Sequence, residues 1–321
     1  MIFILWLLTI LLLMAIIAIT AARLIARPLP PLAAGCISVI SPFVFQYMMT
    51  AASLAFVALG TRPPAILFYM LFAIYGLSMW MLWPYFRRRT PITGTPALKI
   101  LQANVLVKNN DAQAMQRLIK REEPDIIVAC EVNAAFAQLF RSLLPTYPHQ
   151  HIIESDTTSF GMAVLSRIPL DNVDVRYLSD SSIPSIFAMV THQERRIQLV
   201  SLHAENPLRR ADVRDREFDQ LAAWVASANP EYLIVAGDLN ATPVCPPLHH
   251  FMNRTKLKNA RLHLGLAGTF PAWTMVAPLQ IPIDHVLVSA GFRVHTHETV
   301  DSIGSDHLPT ITTLSLKTSG F

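Results

Sequence analysis

Residues 1–86 contain no aspartate, glutamate, lysine or histidine, and their only charges are Arg23, Arg27 and Arg62. A stretch this poor in charge has no polar face to offer water, which argues against a set of soluble helices. No basic residue precedes the first apolar run and two further runs follow it, so a cleaved signal peptide fits poorly as well. Cysteine is also scarce. Cys36, Cys130 and Cys245 make no disulfide framework and show no metal-type spacing. All 22 acids and all 11 histidines follow residue 86, so any acid–base or metal chemistry belongs to the remainder of the 321-residue chain.

What fills the first part is three apolar runs, at 1–22, 33–60 and 65–86, separated by short turns rich in proline and arginine. Each is long enough to cross a hydrocarbon core of about 30 Å at about 1.5 Å per residue. Trp80, Trp83 and Tyr85 sit near the end of the third, where interfacial aromatics are expected. Residues 1–89 are therefore expected to be a three-span transmembrane region. Three crossings put the N-terminus and the rest of the chain on opposite sides. Arg23, Arg27 and Arg87-Arg88-Arg89 fall on one side and Arg62 on the other. By that count the chain is an integral plasma (inner) membrane protein with its polar part in the cytoplasm.

The net charge of +4 owes three units to the membrane region, leaving 23 basic against 22 acidic residues in 87–321. Near neutrality there is a weak argument for nucleic acid as a partner. The basic cluster Arg87–Arg89 reads as a membrane-flanking anchor, and Arg209, Arg210, Arg214 and Arg216 as a solvated helix face. Residues 90–97 (TPITGTPA) read as a linker, and 98–321 as the second domain. Apolar runs predict strands at 98–107, 125–132, 161–166, 186–192, 197–203, 232–237, 283–289 and 309–315. Helical spacing predicts helices at 111–122, 134–144 and 210–227. Strands and helices alternate at first, but later strands follow one another directly. That pattern favours a mixed two-sheet α/β architecture over a doubly wound parallel sheet.

The chemistry-bearing residues stand at the ends of apolar strands, where an uncompensated polar group is costly. Asn104 ends the first strand and Glu131 follows Ile126-Ile127-Val128-Ala129-Cys130. Taken alone, each also reads as a cap or turn residue. In Gly237-Asp238-Leu239-Asn240 the two polar residues lie two apart and can reach one oxygen-rich site. His203 ends another apolar strand, and Ser305-Asp306-His307 precedes the last one. Neighbouring Asp and His side chains diverge, so a distant carboxylate must orient His307, and Asp284 in Pro282-Ile283-Asp284-His285 is the candidate. Together these residues suit attack of water on an ester phosphorus. Glu131 and Asn104 would supply oxygen ligands for a hard divalent cation, with Asp238 and His307 for the water and His203 or the cation for the leaving oxygen.

In this order, the motifs resemble the endonuclease/exonuclease/phosphatase superfamily, which includes DNase I; the resemblance runs from about residue 98 to 316. It implies a two-sheet β-sandwich flanked by helices, preceded here by the three transmembrane helices. It also implies Glu131 as principal Mg2+ ligand (Mn2+ being the substitute ion), with Asn104 in the metal or phosphate shell and Asp306 at a second metal position. Asp238 would position or deprotonate water, Asn240 hold a phosphate oxygen, and His307 with Asp284 contact the scissile phosphate. His203 is similar to the histidine of DNase I and sphingomyelinases that protonates the leaving group. The implied activity is Mg2+-dependent phosphodiester hydrolysis of nuclease type. The implied substrate is a phosphate ester: nucleic acid, lipid headgroup or small phosphodiester. The bilayer is the other expected partner, and no obligate protein partner is inferred. A catalytically inactive membrane scaffold or binding protein of the same fold is the alternative. Trp273, in Thr269-Phe270-Pro271-Ala272-Trp273, is expected to pack in the core, with a place lining the cleft as the second option.

Overall fold

The computed structural model describes residues 2–25, 30–87, 97–274 and 276–317. The expected linker at 90–97, apart from Ala97, and the arginines at 27, 88 and 89 lie outside them. The N-terminal part opens with α1 (Ile2–Leu24) and α2 (Pro31–Ile40). A 3-10 turn at Ser41–Phe43 leads into α3 (Val44–Leu59), and α4 (Ala65–Phe86) closes the group. Three stretches are long and apolar enough to cross a membrane: Ile2–Leu24, Leu32–Leu59 and Ala65–Phe86. The middle one is interrupted rather than continuous, because Pro42 cannot supply an amide to the helical ladder.

The polar part follows as β1 (Leu98–Asn104), α5 (Ala112–Glu122), β2 (Ile126–Cys130), α6 (Ala134–Ser142), β3 (His149–Ile153), β4 (Met162–Ser166) and β5 (Leu170–Tyr177). It continues with β6 (Pro184–His192), β7 (Arg195–Ser201), α7 (Pro207–Ala228), β8 (Tyr232–Asp238), α8 (Pro246–Thr255) and β9 (Lys258–Asn259). The last strands are β10 (Asp284–Val288), β11 (Phe292–Thr299) and β12 (Thr310–Leu316). They form two six-stranded sheets, ordered β11-β12-β1-β2-β4-β3 and β5-β6-β7-β8-β10-β9. Each sheet has one parallel pair, β1 with β2 and β7 with β8, and antiparallel neighbours on either side. A parallel pair needs a crossover, which α5 and α7 supply.

Because helices cover the outer faces, the central strands are buried on both sides and read as continuous apolar runs. On β1, Leu98 and Ile100 enter the core between the sheets, while Leu101 and Ala103 pack outward against α5 and α6. On β8, Tyr232, Ile234 and Ala236 face inward, while Leu233 and Val235 meet α7 and α8. Alternation is the ordinary consequence of the two-residue strand repeat.

The ends of the N-terminal helices that touch the polar part all lie at one end of the helical group. Arg23, at the end of α1, donates to the Val244 carbonyl at 2.8 Å. Ser41 reaches Cys245. The His263 and Gly265 amides donate to the Pro84 and Tyr85 carbonyls at the end of α4. Arg214 departs from the expected solvated helix face: it is fully buried on α7. Its guanidinium bonds Asp215, the Asn240 carbonyl at 3.2 Å and the Ser38 hydroxyl of α2 at 2.8 Å. Packing of α2 against α7 removes Arg214 from water, while Arg209 and Arg210 stay exposed, and leaves the buried arginine where its donors are matched.

Candidate active site

The side chains that fill the space between the sheets change character at one end. Along β1 the inward positions run Leu98, Ile100, Gln102, Asn104; along β8 they run Tyr232, Ile234, Ala236, Asp238. Along β10, Val288 and Val286 give way to Asp284. The two-residue repeat thus carries an apolar core up to a polar tip on three strands at once.

Asp238 and Asp284 are cross-strand partners in the β8–β10 pair, so their carboxylates share one face. Like charges directly opposed are destabilising without something between them. His307 is what stands there. Its Nδ1 donates to Asp284 Oδ2 at 2.8 Å and its Nε2 lies 3.8 Å from Asp238 Oδ2. Burial alone would pull the imidazole down, but the charges of Asp284 and Asp238 and the hydrogen bond to Asp284 outweigh it and push it up to about 10. The Asp284 carboxyl is held below its ordinary value. Burial opposes this, but His307 and hydrogen bonds from His307, Thr269 and Gln102 overcome it. Asp238 has fewer donors, and burial raises it to about 6.

On the far side of Asp238, Asn104 Nδ2 lies 3.1 Å from Asp238 Oδ2 and 3.1 Å from Glu131 Oε1. Glu131 Oε2 accepts the Val107 amide at 3.1 Å. Glu131 follows β2 in a left-handed conformation (φ 61°), which costs a non-glycine residue about 1–2 kcal/mol and turns the carboxylate toward Asn104. Asn240, also left-handed at φ 47°, donates its amide to Asp238 Oδ1 at 2.9 Å and its side-chain amide to the Ala204 carbonyl at 2.8 Å. His203 Nε2 lies 3.8 Å from Asp238 Oδ2, and its Nδ1 hydrogen bonds the Ser159 carbonyl at 3.1 Å. The carbonyl can only accept, so the Nδ1 proton is fixed there. Gly237 makes this approach possible: at φ 148° a Cβ would stand 1.9 Å from the Leu202 carbonyl oxygen, one residue before His203.

The expected residues are thus brought to one place. Asn104 joins Glu131 to Asp238, around which His203, Asn240 and His307 gather, and Asp284 holds His307 from the other side. Asp306, next in the chain to His307, keeps a buried Oδ1 with no hydrogen-bond partner among the described residues. A buried carboxylate oxygen without a donor is costly unless a cation completes it. Glu131 and Asp306 offer carboxylate oxygens of the kind a hard divalent ion takes, while Asn104 turns its Nδ2 toward Glu131 and its Oδ1 to the Leu106 amide at 3.0 Å. A second grouping, Asp238, Asp284 and His307, has ligand atoms within 4.8 Å of one another and could also hold a metal.

Two contributors were not expected. Gln102 donates to Asp284 Oδ1 at 2.8 Å and accepts from Thr310 at 3.1 Å. The Thr269 hydroxyl receives the Ile283 and Asp284 amides at 3.2 and 3.3 Å. The inward repeat of β1 points to Gln102, since it falls between Ile100 and Asn104, and Thr269 opens the segment Thr269-Phe270-Pro271-Ala272-Trp273 that precedes the Asp284 strand. Phe270 packs on the His307 ring with centroids 5.0 Å apart. Trp273 corrects the expectation of a core residue: it is 80% exposed. Among the described residues between Phe270 and Ile281, none belongs to either sheet, and Trp273, Val276, Pro278 and Leu279 are exposed.

The Endonuclease/Exonuclease/phosphatase family model matches residues 101–307, well over half of the chain. The chain belongs to this family. Its members hydrolyse phosphate esters and are generally dependent on divalent metals. Among solved structures, an endonuclease/exonuclease/phosphatase from Bacteroides vulgatus superposes with a TM-score of 0.60 at 17% identity, over 70% of this chain and 100% of that one. D. rerio TDP2 complexed with single strand DNA product gives 0.56 at 14%, over 68% and 98%. Sphingomyelinase C from Streptomyces griseocarneus gives 0.51 at 20%, over 68% and 99%. At these identities the likeness establishes the fold, a DNase I-like pair of mixed sheets flanked by helices. No curated protein matches the chain significantly.

Proposed function

We propose that the chain is a Mg2+-dependent hydrolase of phosphate esters, of the phosphodiesterase or nuclease type, held on a membrane by its three N-terminal spans. One observation carries the reading: His307 seated between Asp284 and Asp238, with Asn104 joining Asp238 to Glu131. Glu131, Asn104 and Asp306 would hold the ion, which supplies charge to the phosphoryl oxygens. The other grouping is better suited to proton handling, because the Nδ1 proton of His307 is already committed to Asp284 and Gln102 occupies the second Asp284 oxygen.

Asp238 would take a proton from the attacking water. Its pKa near 6 keeps it ionised at neutral pH yet close enough to accept a proton as the oxygen–phosphorus bond forms. Asn104 and the Asn240 amide each fix one of its oxygens. His307, kept charged by its two carboxylates, would face a non-bridging phosphate oxygen through Nε2. The Asn240 side chain would stand beside that phosphate. His203, with Nδ1–H fixed on Ser159, would deliver a proton from Nε2 to the departing ester oxygen. Water is consumed, one phosphorus–oxygen ester bond breaks, and an alcohol and a phosphate monoester leave.

The orientation we propose places the polar part in the cytoplasm, at the plasma (inner) membrane. Arg23 and Arg87 stand at the helix ends that meet it, and Arg62 stands in the turn between α3 and α4. The test of function uses the purified full-length protein with bis-p-nitrophenyl phosphate, plasmid DNA and phospholipid vesicles, each with Mg2+ or Mn2+. Hydrolysis of at least one, stopped by chelation, is the expected result. Turnover on none of them removes the proposal.

A further inference from the structure

One loop connects the membrane-type helices to the catalytic cluster. At its catalytic end, Phe270 lies on the His307 ring and the Ala272 amide donates to the Asp306 carbonyl at 2.7 Å. At its other end, Gln46 in the first turn of α3 donates to the Pro278 carbonyl at 2.7 Å. Between these ties stand Trp273 and Val276, with Leu279 next after the second; they are 80%, 54% and 58% exposed. Exposed apolar side chains grouped on a short loop have no reason to face water.

The length of α3 says what they face. Its 16 residues span about 24 Å at about 1.5 Å per residue, short of the roughly 30 Å hydrocarbon core. To cross, α3 must use its whole length, which puts its first turn, with Gln46, at the bilayer boundary. The Pro278 carbonyl that Gln46 holds is then at the boundary too, with Val276 and Leu279 on either side. Trp80 and Trp83 near the end of α4 are also exposed and lie at the same end of the helical group. Trp273 is the residue type that settles at such a boundary.

Beneath the loop, a cavity of about 230 Å³ separates Pro42, Phe45, Leu82 and Phe86 of the helical group from Val244 and Pro282 of the polar part. Pro282 stands two residues before Asp284 and Val244 four after Asn240. The cavity is therefore apolar, continuous with the spanning helices, and bordered by the segments that carry two residues of the cluster.

We propose that the loop is seated in the bilayer surface and that the substrate is a phosphate ester carried by a membrane lipid, with acyl chain entering this cavity and phosphorus at Asp238 and His307. This rests on the hydrolase reading above and names the substrate class of that same site. The reaction is unchanged: water attacks phosphorus, an ester bond of the lipid phosphate breaks, and the leaving oxygen is protonated.

The experiment compares full-length protein in vesicles of equal parts phosphatidylethanolamine and phosphatidylglycerol with the same protein acting on dibutyryl analogues, bis-p-nitrophenyl phosphate and plasmid DNA. Long-chain lipid should be preferred over its dibutyryl analogue by about ten-fold or more in kcat/KM. Replacing Trp273, Val276 and Leu279 together by serine should cut lipid hydrolysis by about ten-fold, with bis-p-nitrophenyl phosphate hydrolysis retained. Lipids brominated in the acyl chain should quench more fluorescence in the wild type than in W273F. Equal rates on long and short chains, a serine variant that hydrolyses vesicles normally, or DNA cleaved in preference to lipid would each overturn the lipid assignment while leaving the hydrolase reading intact. Absence of turnover on every ester would instead remove the hydrolase reading and this assignment with it. The quenching comparison still decides whether the loop meets the bilayer.

Discussion

Each sheet contains one parallel pair joined through a helix: β1–α5–β2 in the first and β7–α7–β8 in the second. The two units have opposite surroundings. The crossover α5 has 11 residues, is capped by Asp111, and turns its polar side to solvent. The crossover α7 has 22 residues, is roofed by α2, and buries Arg214 and Glu217. Their contributions to the cluster differ as well. The first sheet carries Asn104, Glu131, Asp306 and His307 on or beside its strands, and the second carries His203, Asp238, Asn240 and Asp284. The sheet that holds the proton-handling carboxylates is therefore the one fastened to the membrane-type helices. Arg214, bonded at once to Ser38 of α2 and the Asn240 carbonyl, is the direct link.

The largest effects should separate the two sheets chemically. Asp238→Asn should lower turnover by about 10²–10⁴-fold and leave Mg2+ binding close to wild type, because it removes a proton acceptor. Glu131→Gln should lower turnover too, with a raised Mg2+ requirement that excess ion partly restores. Metal titration by calorimetry beside steady-state rates checks both. If the Asp238 variant is the one that loses Mg2+, the ion sits in the Asp238, Asp284 and His307 grouping and the division between sheets is reversed.

Next in size is the membrane-side link. Arg214→Ala leaves Asp215 without its partner and two buried acceptors without a donor, and should destabilise by about 3–5 kcal/mol. Thermal unfolding in detergent measures this, and turnover should fall as Asn240 loses its support. An unchanged melting temperature would show that α2 does not brace the second sheet.

Glu217 offers a pH test of the same helix. It is 1% exposed, and burial raises its carboxyl to about 7 although the Glu205 amide donates to it. A carboxyl whose folded value lies above the unfolded one binds its proton more tightly when folded. Stability should therefore fall as pH rises from about 4.5 to 7 and stay level above, by about 3 kcal/mol at about 1.4 kcal/mol per unit. Glu217→Gln should remove that slope and be the more stable protein at pH 8. Parallel stability curves for the two proteins would contradict it. The smallest effect belongs to the solvated crossover: Asp111→Ala loses the cap on the Ala114 amide, at about 1 kcal/mol, with no change in turnover.

Eight of the strands were legible as apolar runs: β1, β2, β4, β6, β7, β8, β10 and β12 are interior to a sheet and buried. The four that were not legible, β3, β5, β9 and β11, are the four sheet edges. An edge strand is covered on fewer sides, so HQHII, LDNVDVRY and FRVHTHET carry polar residues where a central strand has none. Helix α8 escaped for a related reason, since PPLHHFMNRT has no side-chain cap and few apolar positions. The candidate site was legible because a carboxylate or amide that ends a run of buried aliphatics stands out against its neighbours. Gln102 does not stand out in the sequence because it lies inside its run, nor does Arg214, because its spacing on α7 is that of a solvated face.

By itself the amino-acid order determined the apolar N-terminal helices, long enough to cross a membrane, the buried strands and the polar residues at their tips, since these depend only on periodicity and on neighbours in the chain. Tertiary structure alone decided that Asp284 stands opposite Asp238 with His307 between them, that α2 buries Arg214, and that Trp273 is left in the open on a loop tied to α3. Those facts depend on strand register and helix docking. Both are set by contacts between segments 23 to 232 residues apart, which no local pattern contains.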